Sequence, residues 1–344
     1  MRKYLLPENC ELYKANLHSH STFSDGKLTP EEMKAEYMKR GYSIIAFTDH
    51  EVLFTHNELS DENFLALNGS EISIEQPAEE NGFFKVCHLC LISKDKNNMK
   101  QVCFHPNYLW YFPDEIADLF VNEKRYFGEF YNRVYSVDGI NEIIKIAKEH
   151  NFFVTYNHIG WNRESLVFVS QLENYDGFEV CNYRSVKEGK DFYNIALYED
   201  LLRQGKRPFP IAGDDNHNIP LFDTSTDLDF CDSFGAFTYI AAPDLSYESV
   251  VAAMEKGDLY ASAGPKIKSL YYEDGNYYIE TSPVREIFLR AGNRHSFRVA
   301  SSDGKPITSA VLEGFENDIY VRFSAIDFEG NAADTRAYDL KEFI

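Results

Sequence analysis

Short apolar runs and amphipathic stretches take turns along the first three-quarters of the chain. Strand-length apolar runs fall at residues 12–17, 43–47, 64–67, 83–92, 152–156, 177–181, 209–212 and 237–241. Helical spacing fills several of the gaps, most clearly over 137–150, 187–204 and 247–256, and the last of these stops at Gly257 as helices often do. The first unit is sharply punctuated. Thr29-Pro-Glu-Glu supplies an N-cap followed by proline at the first helical position, and Met33, Glu36, Tyr37 and Arg40 carry the helix to Gly41. This alternation predicts repeated βα units around a mostly parallel sheet, an α/β fold.

Residues 103–135 break the rhythm: they are aromatic and irregular, with Tyr108-Leu-Trp-Tyr-Phe-Pro at their centre, and read as an insertion over one face, either a lid or packing. After Ala263-Gly-Pro265 the pattern changes to short alternating strands with turn signals such as Glu273-Asp-Gly-Asn276 and Ser302-Asp-Gly304. The expected organisation is a domain over 1–264 and a small sandwich-like all-β module over 265–344.

Charge and cysteine content narrow the function classes. A net charge of −21 repels polyanions, and no basic patch offsets it, so no nucleic-acid partner is expected and a small molecule is the simpler substrate. No run approaches the 18 or so apolar residues of a membrane span, and the first residues lack a signal-peptide pattern, which predicts a cytoplasmic protein without a membrane partner. Cys10, Cys87, Cys90, Cys103, Cys181 and Cys231 are scattered in a chain too large to need disulfide staples, so they read as buried free thiols. Cys87-His-Leu-Cys90 looks like half a zinc knuckle, but residues three apart on a strand face opposite ways and no second pair follows.

Six of the ten histidines (His18, His20, His50, His88, His158 and His217) stand at or just after the ends of the predicted strands. Catalytic groups of β/α barrels gather at that rim. His18-Ser-His20 puts two imidazoles on one face. Asp25 sits in a Ser-Asp-Gly turn, Asp49-His50 and Gly69-Ser-Glu71 each follow an apolar strand, and Asp214-Asp-Asn-His217 follows another. So many ionisable groups in one mouth would be costly unless cations paired them, and mixed imidazole and carboxylate ligation favours zinc, manganese or iron.

As an ordered set, H-S-H-S-T-F-S-D-G, T-D-H, G-S-E, an isolated strand histidine, N-H and G-D-D-N-H resemble the motifs of the PHP (polymerase and histidinol phosphatase) superfamily over roughly residues 12–262, in its branch with a C-terminal β module. The resemblance implies a distorted seven-stranded (β/α)7 TIM-like barrel with a trinuclear metal centre and phosphoester hydrolysis. It would assign His18, His20, Glu71 and Asp215 to a first ion. Glu71 bridges to a second held by His88 and His158, and Asp25, His50 and His217 hold a third. His88 is the loosest assignment, His105 being its alternative. Family members usually carry a small residue where Asp214 stands.

The chemistry would be attack by a metal-bridging hydroxide on a small phosphomonoester or phosphodiester of the nucleotide or sugar phosphate class. A carboxyl ester or carbamate hydrolase on the same centre is the alternative within enzymes, and a non-catalytic metal-binding or interaction protein is the alternative outside them. Around the metals, Asp49 reads either as an orienting or proton-transfer group or as a structural hydrogen-bond partner, and Glu179 as a support for the ligands. Arg163 and Arg184 follow strand ends where a guanidinium fork suits phosphate. Trp161, Tyr183 and the aromatics of 108–112 are candidates for an apolar wall or for packing. His56, His105, His150 and His295 fall in no motif and are expected in loops or at the surface.

Overall fold

The computed structural model describes residues 2–80, 82–218, 232–315 and 318–342. After a two-residue strand β1 (Lys3–Tyr4), β2 (Glu11–Asn16) leads into α1 (Pro30–Met38) and β3 (Ile44–Phe47). The entry to α1 is a full capping box: Glu32 N donates to Thr29 Oγ1 at 3.3 Å and Thr29 N donates to Glu32 Oε2 at 2.9 Å. Met33 and Tyr37 bury the inner face, and Gly41, at φ 77°, makes the left-handed turn back to the sheet.

The metal-bearing half of the fold continues through β4 (Leu65–Glu75), β5 (Val86–Ser93), β6 (Phe152–Tyr156), β7 (Gly177–Asn182), β8 (Phe209–Gly213) and β9 (Phe237–Ala242). Their hydrogen-bonded order is β9-β2-β3-β4-β5-β6-β7-β8. The pairs β2–β3, β3–β4, β6–β7 and β7–β8 are parallel, whereas β9–β2, β4–β5 and β5–β6 are antiparallel. The expected βα repetition is broken at β5, which runs antiparallel to both of its neighbours. Among the described residues no helix intervenes between β4 and β5, and the chain returns beside β4 in the opposite sense, as a hairpin. β4 is also longer than the 64–67 run suggests, because Glu71 and Ser73 are polar positions on the strand face that lines the site.

The sheet curls so that its ends approach. Asp215 N donates to His18 O at 2.9 Å, His20 N donates to Asn216 O at 3.1 Å, and Thr238 Oγ1 exchanges hydrogen bonds with Ala212. One face packs under α8 (Tyr247–Lys256), where Val250 and Met254 meet Ala15, Ile44, Leu65 and Ile240. The outer face of β5 to β8 is covered by α3 (Val137–Glu149) and α7 (Ile195–Arg203) through Ile140, Ile143, Tyr198 and Leu201.

Two further expectations change. The helix read over 187–204 is interrupted: α6 (Tyr183–Lys187) ends before Gly189 at φ 69°, and α7 starts only at Ile195. Between them Asp191 turns inward, accepting from Gly160 N at 3.0 Å and from Asn194 Nδ2 at 2.7 Å, bonds worth more there than another helical turn. The insertion read as irregular contains α2 (Asp114–Asn122), whose Phe120 stacks on Phe104 beside Tyr126. Two short helices, α4 (Ile159–Asn162) and α5 (Leu166–Val169), follow β6.

The strands after residue 258 divide between two sheets. β10 (Leu259–Ser262) pairs with β9 and with β17 (Ala332–Thr335), and the large sheet runs on through β16 (Tyr320–Ile326) to β13 (Glu286–Ala291) and β14 (Ser296–Ala300), with β18 (Tyr338–Asp339) also on β16. The second sheet has the order β1-β11-β12-β15, from β11 (Ile267–Glu273), β12 (Asn276–Val284), β15 (Ile307–Glu313) and the N-terminal strand β1. Leu270, Tyr277 and Ile279 of one sheet face Ile287, Leu289 and Phe323 of the other. Arg322, buried between Asp334 and Glu199, links these strands to α7. Among the described residues no helix is long and apolar enough to cross a membrane. Cys87, Cys90, Cys103 and Cys181 are buried free thiols and Cys10 is partly buried; Cys231 lies outside the described residues.

Candidate metal centre

Glu71 is the hub. It leaves β4 at the curled rim, 1% exposed, with Oε1 3.1 Å from His18 Nε2, His88 Nδ1 and His158 Nε2, and Oε2 3.1 Å from His50 Nδ1 and 3.4 Å from His20 Nε2. The hairpin explains how His88 arrives here. On β5 it pairs with Ser73, which points to the same face as Glu71 two residues away, and Ser73 Oγ meets His88 Nε2 at 2.6 Å. His105 joins no such group; its Nδ1 accepts from Asn107 N.

Three clusters of donor atoms result, each within 4.8 Å: His18, His20, Glu71 and Asp215; Glu71, His88 and His158; His20, Asp25, His50 and His217. All nine residues named from the sequence motifs are brought together, and His20 reaches two clusters. The clusters fit metal ions on two counts. His18 Nε2, both ring nitrogens of His20, Glu71 Oε2 and His158 Nδ1 are buried without a hydrogen-bond partner, a costly state for so many polar atoms. In addition, His20 Nε2 and His18 Nε2 lie 2.9 and 3.3 Å from Asp215 Oδ1. At metal–ligand distances of about 2.0–2.2 Å, neighbouring ligands of one ion stand roughly 3.0–3.4 Å apart.

The electrostatics divide the imidazoles. Burial, with His50 and His217 alongside, pushes His20 down to about 3, and burial also lowers His50. Burial opposes charge on His18, His158 and His217 too, but facing groups overcome it: Cys90, Asp215, Glu71 and Glu179 for His18, Glu71 for His158, and Asp25 for His217, so all three are raised. Burial pushes the carboxyls of Glu71 and Asp215 upward, yet the surrounding imidazoles hold both well below the usual range.

The backbone is strained at two of these residues. His158 has φ 26° and Asp215 φ 53°, conformations that cost about 1–3 kcal/mol each without glycine. Each is pinned from outside: His158 N donates to Glu179 Oε2 at 2.9 Å, and Asp215 N to His18 O. Gly213, the first residue of G-D-D-N-H, has no such freedom to trade, since a Cβ there would stand 2.9 Å from His18 Cβ and 3.1 Å from Glu179 Oε1.

Glu179 supports two ligand histidines at once, with Oε1 3.1 Å from His18 Nδ1 and Oε2 on the backbone N of His158. Asp49 touches no imidazole; it accepts from Ser21 N, Ser21 Oγ and Ser24 Oγ at 2.7–2.8 Å and so fastens the loop carrying His20 and Asp25. Arg184 lines the central cavity of about 230 Å³ but also pairs with Asp232 at 3.1 Å and Glu188 at 3.3 Å, while Arg163 is exposed beside a neighbouring cavity. Trp161 is a wall of the central cavity, its ring 5.0 Å from His88 and 5.2 Å from His158, whereas Tyr183 packs on Gly235. His56, expected in a loop, is in one but buried against Phe47.

Sequence reasoning missed Asn157, Ser73, Glu188 and Lys190. Asn157 Nδ2 donates to Glu71 Oε1 at 3.2 Å and approaches Cys90 Sγ at 2.9 Å, and it stands in the N-H motif itself. Ser73 had the strand alternation from Glu71 as its signal. Glu188 and Lys190 sit in the break between α6 and α7 and carried none.

Fold and site together define an α/β protein with a histidine–carboxylate centre able to hold several ions at one rim. Residues 16–105 match the PHP domain family. Among solved structures the chain is similar to a two-domain protein containing a predicted PHP-like metal-dependent phosphoesterase from Bacteroides vulgatus, at 16% identity and TM-score 0.46 over 98% of each chain. It is also similar to a proposed metal-dependent phosphoesterase from Bifidobacterium adolescentis, at 18% identity and TM-score 0.37 over 60% of this chain and 89% of that one. An amidohydrolase from Chromobacterium violaceum with bound sulfate and no metal is similar at 16% identity and TM-score 0.37, over 59% of this chain and 87% of that one. No curated protein matches the chain.

Proposed function

We propose that this protein is a metal-dependent phosphoesterase that hydrolyses a small phosphomonoester or phosphodiester of the nucleotide or sugar phosphate class. The reading rests on one observation: nine imidazole and carboxylate groups, Glu71 at their centre, meet with several buried ligand atoms left unpartnered, in a cavity whose rim carries Arg184 and Lys190. In this reading the three clusters hold two or three ions of zinc, manganese or iron, with Glu71 shared between two of them. Such ions supply the Lewis acidity that makes a water nucleophilic near neutral pH and offsets charge on phosphoryl oxygens.

The chain's own residues do the rest. Glu179 keeps a proton on His18 Nδ1 and so turns the Nε2 lone pair toward the centre. Arg184 and Lys190 draw an anionic group to the rim, and Trp161 excludes water from one side. Asp49 acts by position, through the loop it fastens, and Arg163 contacts substrate only beyond the metal cavity. The curled sheet is then a distorted TIM-like barrel within 1–264, built from the eight strands β2 to β9 rather than the expected seven, carrying the insertion at 103–135, with 265–344 as the β module. Free buried cysteines support a reducing, cytoplasmic setting.

The test is elemental analysis of the purified protein together with nitrophenyl phosphate, bis-nitrophenyl phosphate and nitrophenyl acetate assays on the wild type and His18→Ala. At least two equivalents of metal, and phosphate-ester turnover lost in the variant, are expected. Acetate hydrolysis with no phosphate-ester turnover would overturn the proposal.

A further inference from the structure

A second cavity of about 300 Å³ adjoins the metal cavity, and Trp161 and Lys190 line both. Its other walls are Phe83, Phe84 and Val86 from the end of the β4–β5 hairpin, with Arg163 at the edge. We propose that this cavity is a subsite for an aromatic ring on the substrate, joined to the ester group bound at the metal centre; the proposal rests on the hydrolase reading of that centre and names what its substrate carries.

Three features point to a ring rather than an aliphatic chain. The first is the make-up of the walls. Phe83 and Phe84, 41% and 47% exposed at adjacent positions of a surface hairpin, both line this cavity. Trp161, edge-on to His158 and tilted against His88, lines the same space. Such walls favour stacked and edge-to-face contacts with a planar partner.

The second is charge. Arg163 and Lys190 stand at the border of an otherwise apolar cavity, and a ring offers each a π face that an alkyl chain does not. The third is continuity. Because Trp161 and Lys190 belong to both cavities, a ring resting against Trp161 adjoins the space that an ester group in the metal cavity would occupy. Arg163 is held at φ 62°, a left-handed conformation unusual for arginine, which is the turn that directs the chain out of α4 beside this cavity.

The test uses the full-length, zinc-loaded protein with Trp110→Phe, which leaves Trp161 as its single tryptophan. Calorimetry compares 1-naphthylphosphonate with methylphosphonate, neither of which is hydrolysed, and Trp161 emission reports where the ring sits. The naphthyl compound is expected to bind at least about tenfold more tightly and to change Trp161 emission. In Phe83→Ala/Phe84→Ala with unchanged metal content, naphthyl affinity should fall by about tenfold while methylphosphonate affinity stays the same. Equal affinities for the two compounds, or no effect of the double substitution, would overturn the subsite. If neither phosphonate binds, 1-naphthoate and acetate decide the matter. A naphthoate preference that depends on Phe83 and Phe84 keeps the subsite and removes the phosphoester reading, and absence of any binding overturns the subsite.

Discussion

Loading the metal-free protein with divalent ions should release protons, and the number follows from the site. His20, at about 3, and His50, lowered by burial, are already neutral and ready to act as ligands. His18, His158 and His217 are different. Burial opposes their charge, but the facing carboxylates raise all three above the ordinary 6.5. At pH 6.5 each is therefore more than half protonated, so these three alone displace between roughly 1.5 and 3 protons when the site fills, since imidazole must be neutral to ligate. The same shifts act on folding with the opposite sign. A raised imidazole stabilises the metal-free protein below pH 6.5, and that contribution is lost as pH climbs through the raised value. Metal affinity should thus strengthen across the window in which the metal-free protein weakens. Calorimetric titration of zinc into stripped protein at pH 6.5, in two buffers of unlike protonation enthalpy, counts the protons directly. Equal observed enthalpies in the two buffers would mean no proton release and would refute the argument.

Two other predictions concern residues that hold no metal. Glu179→Gln should weaken metal affinity by about 10–100-fold in chelator competition, because His18 and His158 lose their shared anchor, and unaltered affinity would count against that role. Arg133→Met should cost about 3–5 kcal/mol in equilibrium denaturation. It strands the buried Glu51 carboxylate, 2.7 Å away, and removes bonds to Ser73 O and Cys103 O at 2.9 and 3.1 Å. Adding Glu51→Gln should recover part of the loss; a cost below about 1 kcal/mol for the single variant would show that the pair does not fasten the insertion.

What the sequence made legible was local chemistry. Thr29 and Pro30 announce α1 because a cap needs only its own four residues. His18, His20, Glu71 and Asp215 stand out because each follows an apolar run and the rim brings such positions together. What stayed hidden depended on partners distant in sequence. The return of β5 beside β4 is decided by the absence of a crossover helix, and the apolar content of 83–92 suits either strand direction. The break at 188–194 exists because Asp191 finds Gly160, thirty-one residues earlier, and helical spacing alone carries no sign of it. Likewise nothing in Lys3–Tyr4 marks it as a strand whose neighbour is β11.

The β4–β5 hairpin separates two kinds of change. The register of β5 is set on both flanks, by Ser73 opposite His88 on one side and Tyr156 opposite Leu89 on the other. A slip of one residue would turn His88 away from Glu71, and two ladders resist it together. Gln76 N, donating to Lys85 O at 2.9 Å, closes the ladder, and the tip beyond that pair bears less of the constraint. Residues there, Phe83 and Phe84 among them, are open to replacement, lengthening or loss while the metal ligands keep their spacing. Diversification of the ligand taken beside the centre thus has a place to occur at little risk to the chemistry.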